Sequence, residues 1–537
     1  MGIVEIKSIK NLSGNIEISL GVNISLQNST LYIKARKEES CSLRFSPHGS
    51  SNKEVNFHIP AASLSITNIY YDVYLEYVNK NDEIIQERIK NTSRWKRLAV
   101  NLLSLKHQRV QHADKEYLIT EYFAVGGYLS LQVRESDKYD SYKYKLREFM
   151  ACILFPFVYW YYKDSKLIYE KFSNYARDNS FYYFAYVQKN VENNKLFYVI
   201  TKNSPDLRNL EAYKKNVVYF MSIKHILLIL TSKYFIASES KGHAYAWRHN
   251  QSIARYFLNR KPFVFLQHGV LGLKQVDRTF FANNRLNHAD LFITSSEIEK
   301  HIVLDFLGYE DKNVAVTGLA RWDNFQRVPK EKKIFVMPTW RVKLELLSDA
   351  EFLESDFYRS YCNLLHSDRI KEILHKSGYQ LHFMLHPKFV RFEKYFISDD
   401  ENIVIVHQSE VPIDRELKTS ELVITDYSSI TWDALYYDCP ALLFQFDQKE
   451  YLETQGSYLD FNTDLSDIII KDSQALLDRI ATFVRHTDTV NLSSLQQKYF
   501  GYTDKDNSKR INESIDRWEK SYQFKPMYRK HFTRSKR

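Results

Sequence analysis

At 537 residues, with 44% apolar and 15% aromatic side chains, the chain is too long for one hydrophobic core and has material for about three domains. Fourteen Gly and eleven Pro are too few for a repeat array or a low-complexity chain, and four scattered cysteines (Cys41, Cys152, Cys362, Cys439) offer neither a disulfide framework nor a cysteine zinc site. A formal charge of +10 favours anionic partners, and without zinc-finger spacing or a basic recognition helix these are a phospholipid surface or a phosphate-rich polymer or substrate, with no nucleic acid expected.

The N-terminus has no apolar run of signal-peptide length, so a cytoplasmic chain is expected. Residues 1–122 read as an accessory domain, a small antiparallel β structure. Its strands Asn15–Leu20, Leu31–Ala35, Val55–Ile59 and Tyr70–Val78 are β-branched and aromatic, with polar turns such as SPHGSSNKE between them. Residues 123–163 read as a linker that includes the apolar run Phe149–Tyr162. Fourteen residues fall short of the roughly 20 that span a bilayer, so two readings stand. One is a buried helix; the other is an aromatic segment lying in a membrane interface, with Lys143, Lys145, Arg147 and Lys163 beside it.

From residue 164 short apolar strands alternate with helical segments, the pattern of parallel sheets covered on both faces. The first set, within 164–325, is Leu196–Thr201, Tyr234–Ser238, Phe263–Gln267, Leu291–Thr294 and Val314–Thr317. The second, within 326–537, is Ile334–Pro338, Leu381–Leu385, Ile403–Val406, Leu422–Thr425 and Ala441–Phe444. The charged segment Arg321–Lys333 between them is the expected hinge. Ligands in such folds bind outside the carboxyl ends of the strands, and four of those ends carry chemistry. They are His268-Gly269, Thr339-Trp340-Arg341, His386-Pro387-Lys388 and Asp426-Tyr427-Ser428-Ser429. The last is a strand–turn–helix unit whose serines read either as an ordinary N-cap or as a phosphate site at a helix N-terminus.

Together the segments LQHGVLGLK, TSSEIEKHIVLDFLGY, VAVTGLARWDNF, MPTWR, MLHPKF and VITDYSSITWDALYYDCPALLF, spread over about 165–520, resemble the CDP-glycerol glycerophosphotransferases. Those enzymes build teichoic acids and related polyol-phosphate polymers. The resemblance implies a glycosyltransferase-B-like pair of Rossmann-type domains, the first on the acceptor side and the second on the CDP-donor side. It also implies transfer of glycerol phosphate or ribitol phosphate from CDP-glycerol or CDP-ribitol to a lipid-linked, polyanionic acceptor, with release of CMP. The resemblance makes His268 the general base and sets His386 at the leaving group. It puts Thr339 and Arg341 near the donor phosphates and makes Asp426, Ser428 and Ser429 the diphosphate end of the pocket. Arg321 and Asp323 fall in its inter-domain segment. Two departures bear on the polyol or acceptor contacts: Gln455 stands where an arginine is common, and the Pro-Gly turn that follows is missing.

The residue types suit this reaction on their own account. Histidine is a base near neutral pH, and a helix end, an arginine and a second histidine can take up charge on a departing phosphate. The strand ends hold no Asp-x-Asp pair. Asp504-Lys505-Asp506 reads as a turn, so no metal and no cofactor are expected, the CDP-polyol being a substrate. A lipid-linked acceptor with no spanning helix implies peripheral binding at the inner membrane surface. The alternative is a nucleotide-sugar glycosyltransferase of the same fold, and a third reading is a non-catalytic polymer-binding scaffold.

Overall fold

The computed structural model describes residues 4–524 apart from 13, 23–28, 37–38, 52–53, 65–68, 79–82, 94, 98–99, 101–107, 113, 125, 248–251, 285, 346, 408–409 and 487–490. The chain divides into two compact units, one of 1–164 with 218–232 and 244–261, the other of 165–217, 233–243 and 262–537.

The first unit begins with two antiparallel sheets. One runs Val4–Leu12, Asn15–Val22, Glu54–Pro60, Gly49–Ser51; the other runs Leu43–Phe45, Thr30–Ala35, Ile69–Val78, Leu129–Glu135, Lys115–Phe123, Gln108–His112, with Ile84–Arg88 also paired to Ile69–Val78. Period-two patterning sets the inward face: Val55, Phe57 and Ile59 alternate with polar neighbours, and all three join one core with Leu31, Tyr71 and Leu131. The sheet continues to Glu135, beyond residue 122 where the sequence reading ended it, because Leu129, Leu131 and Val133 supply another inward row. A helix, Tyr142–Tyr162, follows and packs on two helices, Ile223–Thr231 and Ile253–Leu258. Those two belong to this unit, a correction to the undivided 164–325 domain read from sequence.

The second unit contains two parallel sheets. The order in the first includes Leu196–Ile200, Lys166–Tyr169, Tyr234–Ala237, Phe263–Phe265, Leu291–Thr294, Val314–Val316. In the second it is Ile403–Ile405, Gln380–Phe383, Glu331–Val336, Ser420–Thr425, Ala441–Phe444, Ile469–Ile470. In each, the earliest of these strands lies centrally and the order reverses beside it. The crevices so created open at the ends of Lys166–Tyr169 and Glu331–Val336. The sequence reading missed Lys166–Tyr169, which follows almost directly on the aromatic helix ending at Tyr162 and so gives no separate apolar signal. The loop ends Val270 and Leu273 of the first half join the core of the second. The C-terminal helix Asn507–Ser521 returns Ile511, Ile515 and Trp518 to the core of the first.

Candidate active site

Residues 266–271 leave the strand Phe263–Phe265 through a turn held by its backbone and by the buried side chain of Gln267, whose Nε2 donates to the Ile293 carbonyl (2.5 Å). Gln267 takes φ +61°, a conformation costly for a residue with a Cβ, and three contacts hold it there. The Gln267 carbonyl accepts Asn179 Nδ2 (2.8 Å), the His268 carbonyl accepts Arg321 Nη1 (2.8 Å), and Leu271 N donates to the buried carboxylate of Glu299 (2.6 Å). The imidazole of His268 takes no part, and the residue is exposed. Gly269 lies directly against Ser429: a Cβ there would sit 2.7 Å from the serine Oγ. The turn therefore accepts only glycine, and the two halves meet at this point. Both His268 and Ser429 line one narrow cavity, together with Lys274 and Tyr427.

In the second half, His386 ends the run after Gln380–Phe383. Its Nδ1 accepts the Lys388 N–H (3.3 Å), which leaves Nε2 to carry the proton of the neutral ring. The ring stacks on Trp340 at 6.2 Å, and Lys388 Nζ covers that indole at 3.5 Å. Burial, followed by the charges of Lys274, Lys388 and Lys171, lowers the His386 pKa to about 4. Lys388 also pairs with Glu345 (3.1 Å), whose charge acts the other way, and the excess of lysine around one imidazole suits an anion. Lys171 reaches it from the switch point of the first sheet, on a loop in which Phe172 (φ 53°) and Ser173 (φ 54°) are both left-handed. Phe172 is fixed by its N–H to His243 Nδ1 (3.0 Å) and by stacking on that ring. Nothing in the sequence signals Lys171 or Lys274, because their relevance lies in where distant loops end.

The remaining candidates divide. Ser428 and Ser429 open the helix Ile430–Tyr436, and Ser428 Oγ accepts Ile430 N at 3.4 Å. Seven residues make a short dipole, so lysines rather than the helix supply most of the positive field. Thr339 sits at the second switch point, its Oγ1 buried with no hydrogen-bond partner among the described residues. Asp426 is fully buried behind the pocket rather than lining it; its carboxylate accepts Thr339 N (2.8 Å) and Arg341 Nη2 (2.9 Å). Arg341 is likewise engaged, bonding Asp447 through Nε (2.8 Å) and lying over Tyr427 and Tyr451. The pair positions the Thr339 turn; a guanidinium held by two carboxylates has little charge left for a phosphate. Arg321 binds Asp433 with Nε and Nη2 and Asp178 with Nη1, so it joins the halves beside the site. Asp323 lies outside the site, where its carboxylate accepts Asn507 N and Ser508 N at the start of the C-terminal helix. Asp504 accepts Arg510 in a turn, and among the described residues no group of three or more His, Cys, Asp or Glu could hold a metal ion.

The lysine ring makes a testable statement about protons. An imidazole with a pKa of about 4 is neutral at pH 7, and a bound dianion favours its protonated form. Binding of inorganic sulfate, which stays a dianion over this range, should therefore take up protons and strengthen as pH falls from 7 toward 5. Calorimetry in buffers of different ionisation enthalpy reads the uptake, and His386→Gln should abolish it. Equal uptake in that variant would remove His386 from the anion site.

A profile of the family described as CDP-glycerol:poly(glycerophosphate) glycerophosphotransferase matches residues 153–517. The minor teichoic acid biosynthesis protein GgaB of Bacillus subtilis (strain 168) is 27% identical over 365 residues, 63% of this chain and 38% of that protein. The teichoic acid poly(ribitol-phosphate) polymerase of Bacillus spizizenii is 25% identical over 226 residues, 38% of this chain and 35% of that protein. The matches thus span little more than a third of those two relatives. The solved structure of the wall teichoic acid polymerase TagF aligns at 14% identity with a TM-score of 0.49, covering 72% of this chain and 99% of that one.

Proposed function

Because the chain belongs to the CDP-glycerol:poly(glycerophosphate) glycerophosphotransferase family, we propose that it transfers a polyol phosphate, glycerol phosphate or ribitol phosphate, from a CDP-polyol to a hydroxyl of a lipid-linked teichoic-acid-like acceptor. The two parallel sheets then act as a glycosyltransferase-B-like pair. The observation that carries the reading is the meeting of His268 and Ser429 in one cavity beside a histidine ringed by lysines. The acceptor oxygen attacks the phosphorus that bears the polyol, and its proton passes to His268. The bond from that phosphorus to the bridging oxygen breaks, and CMP leaves with the electron pair. Lys274, Lys388 and Lys171 offset its growing charge, and His386, made basic by the donor, can hand it a proton. Thr339 Oγ1 and the serines orient the donor phosphates.

The test is incubation with CDP-glycerol and CDP-ribitol separately, with a lipid-linked acceptor, weighing the products and measuring CMP. An acceptor heavier by one or more polyol phosphates is expected with one donor. No CMP from either, with consumption of a UDP-sugar, would replace this reading with the glycosyltransferase one.

The same reading places the protein peripherally on the inner membrane surface. No helix among the described residues is long and apolar enough to cross a membrane. Yet Tyr142–Tyr162 leaves Leu146, Phe149, Ile153, Phe157, Trp160 and Tyr161 exposed, spaced by three and four along one face. Phe157 and Trp160 are 81% and 72% exposed, while Lys143 stands exposed at one end and Lys163 covers Trp160 at the other. Each such lysine adds about 1 kcal/mol at an anionic surface. Phe155 packs toward Phe257 and is not part of this face. Replacing Phe149, Phe157 and Trp160 by serine should thus release the protein from anionic vesicles with its thermal midpoint unchanged. Sedimentation of the triple variant with vesicles at the wild-type level would sink the assignment.

A further inference from the structure

A second cavity, of about 530 Å3, opens on the donor half between residues 340–357 and 446–455. It adjoins the transfer cleft but differs in chemistry. Its walls carry four aromatic rings, Trp340, Phe357, Phe446 and Tyr451. Its charged lining is Arg341 and Lys343 against the four carboxylates of Glu354, Asp356, Asp447 and Glu450. Arg341 is held by Asp426 and Asp447, Lys343 lies 3.3 Å from Glu450, and Arg359 pairs with Glu354, so no cation here is spare, while each paired carboxylate keeps further acceptor lone pairs. A phosphate entering here would meet net negative charge, whereas the cleft beside it concentrates lysines. Carboxylates only accept hydrogen bonds, so they select a ligand rich in donors. Phe357 and Tyr451 are buried in the wall, and the partly exposed rings of Trp340 and Phe446 select a ligand with apolar C–H surfaces. A volume of this order holds one or two six-membered rings.

We propose that this cavity binds a neutral sugar ring, presented by the acceptor beside the phosphoryl-transfer cleft. The acceptor part of that statement rests on the transferase reading; the sugar part does not. Glu354, Asp356 and Glu450 accept the ring hydroxyls, and the aromatic walls take its C–H face. The donor diphosphate stays in the lysine-lined cleft, so sugar and donor occupy the protein together.

Saturation-transfer NMR on the full chain tests this with methyl α-D-glucopyranoside and methyl N-acetyl-α-D-glucosaminide, and with glycerol 3-phosphate as the anionic control. At least one glycoside should bind, without displacement by CDP, and more tightly than glycerol 3-phosphate. Glu450 and Glu354 are 66% and 77% exposed, so charge reversal at either leaves the fold intact. Glu450→Lys and Glu354→Lys should each weaken glycoside binding at least fivefold and leave CDP affinity unchanged. No glycoside binding, displacement by cytidine, or equal glycoside affinity in both variants would overturn the proposal. Glycoside blindness in a protein that releases CMP sinks the sugar site alone. Glycoside binding without CMP release keeps the site and removes its link to transfer.

Discussion

His268→Ala is expected to lower turnover by two or more decades while the affinity for the CDP-polyol stays within about twofold, the pattern of a lost general base. The structure makes this variant unusually clean. The turn is held by Asn179 on the Gln267 carbonyl, Arg321 on the His268 carbonyl, Glu299 on Leu271 N, and the Gln267 side chain on the Ile293 carbonyl. The imidazole itself is exposed and makes none of these contacts, so alanine removes the base and leaves the loop in place. Single-turnover CMP release separates chemistry from product departure, and direct titration with donor gives the affinity. A variant that turns over at the wild-type rate would take His268 out of the mechanism. One that loses donor affinity in proportion to rate would make it a binding residue instead.

The parts of this site visible in the sequence are those that end a strand. An apolar β-branched run stopped by a polar residue is a local signal, so His268, Thr339, His386 and the Asp426–Ser429 turn could each be picked out without a partner. What a side chain does there depends on residues far away, and no spacing encodes that. Asp426 and Arg341 each read as phosphate contacts; in the structure Arg341 joins Asp426 and Asp447, 85 and 106 residues away. Lys171 and Lys274 were invisible for the same reason. In the fold, alternation of strand and helix is readable, but Lys166–Tyr169 is masked by the aromatic helix that ends just before it, and its central place is not encoded locally. Helices Ile223–Thr231 and Ile253–Leu258 carry ordinary helical patterns, and pattern cannot tell which unit a helix joins. Arg321 shows the limit most plainly, since it lies in a segment read as a charged hinge and beside a tryptophan, Trp322, that is fully buried.

Arg321→Leu should cost about 3–5 kcal/mol of stability, the range for removing one partner of a buried ion pair, and should lower kcat at least tenfold with KM for the donor little changed. The guanidinium makes two bonds to Asp433 Oδ1 (3.0 and 2.9 Å), one to Oδ2 (2.9 Å), one to Asp178 (2.9 Å) and one to the His268 carbonyl (2.8 Å). Asp433 lies on the helix opened by Ser428 and Ser429, and also accepts Trp322 Nε1 (2.8 Å). Arg321 therefore fixes the turn that carries His268 and the helix opened by Ser428 and Ser429 to one planar group. Leucine leaves the Asp433 carboxylate buried beside Asp178 with its main counter-charge gone, which accounts for the stability loss. It also frees the His268 carbonyl, so the imidazole is no longer held in register with Ser429, which accounts for the rate loss. Lysine restores a charge but not a fork: one ammonium cannot hold Asp433 at two points and still reach the His268 carbonyl. Arg321→Lys should accordingly recover much of the thermal midpoint and little of kcat, a split that a merely structural role would not produce. The coupling can be measured directly, because Asp433→Asn should cost far less rate in the Arg321→Leu background than in the wild type. Additive losses, or full kcat in a folded Arg321→Leu protein, would show that the register of His268 is set elsewhere.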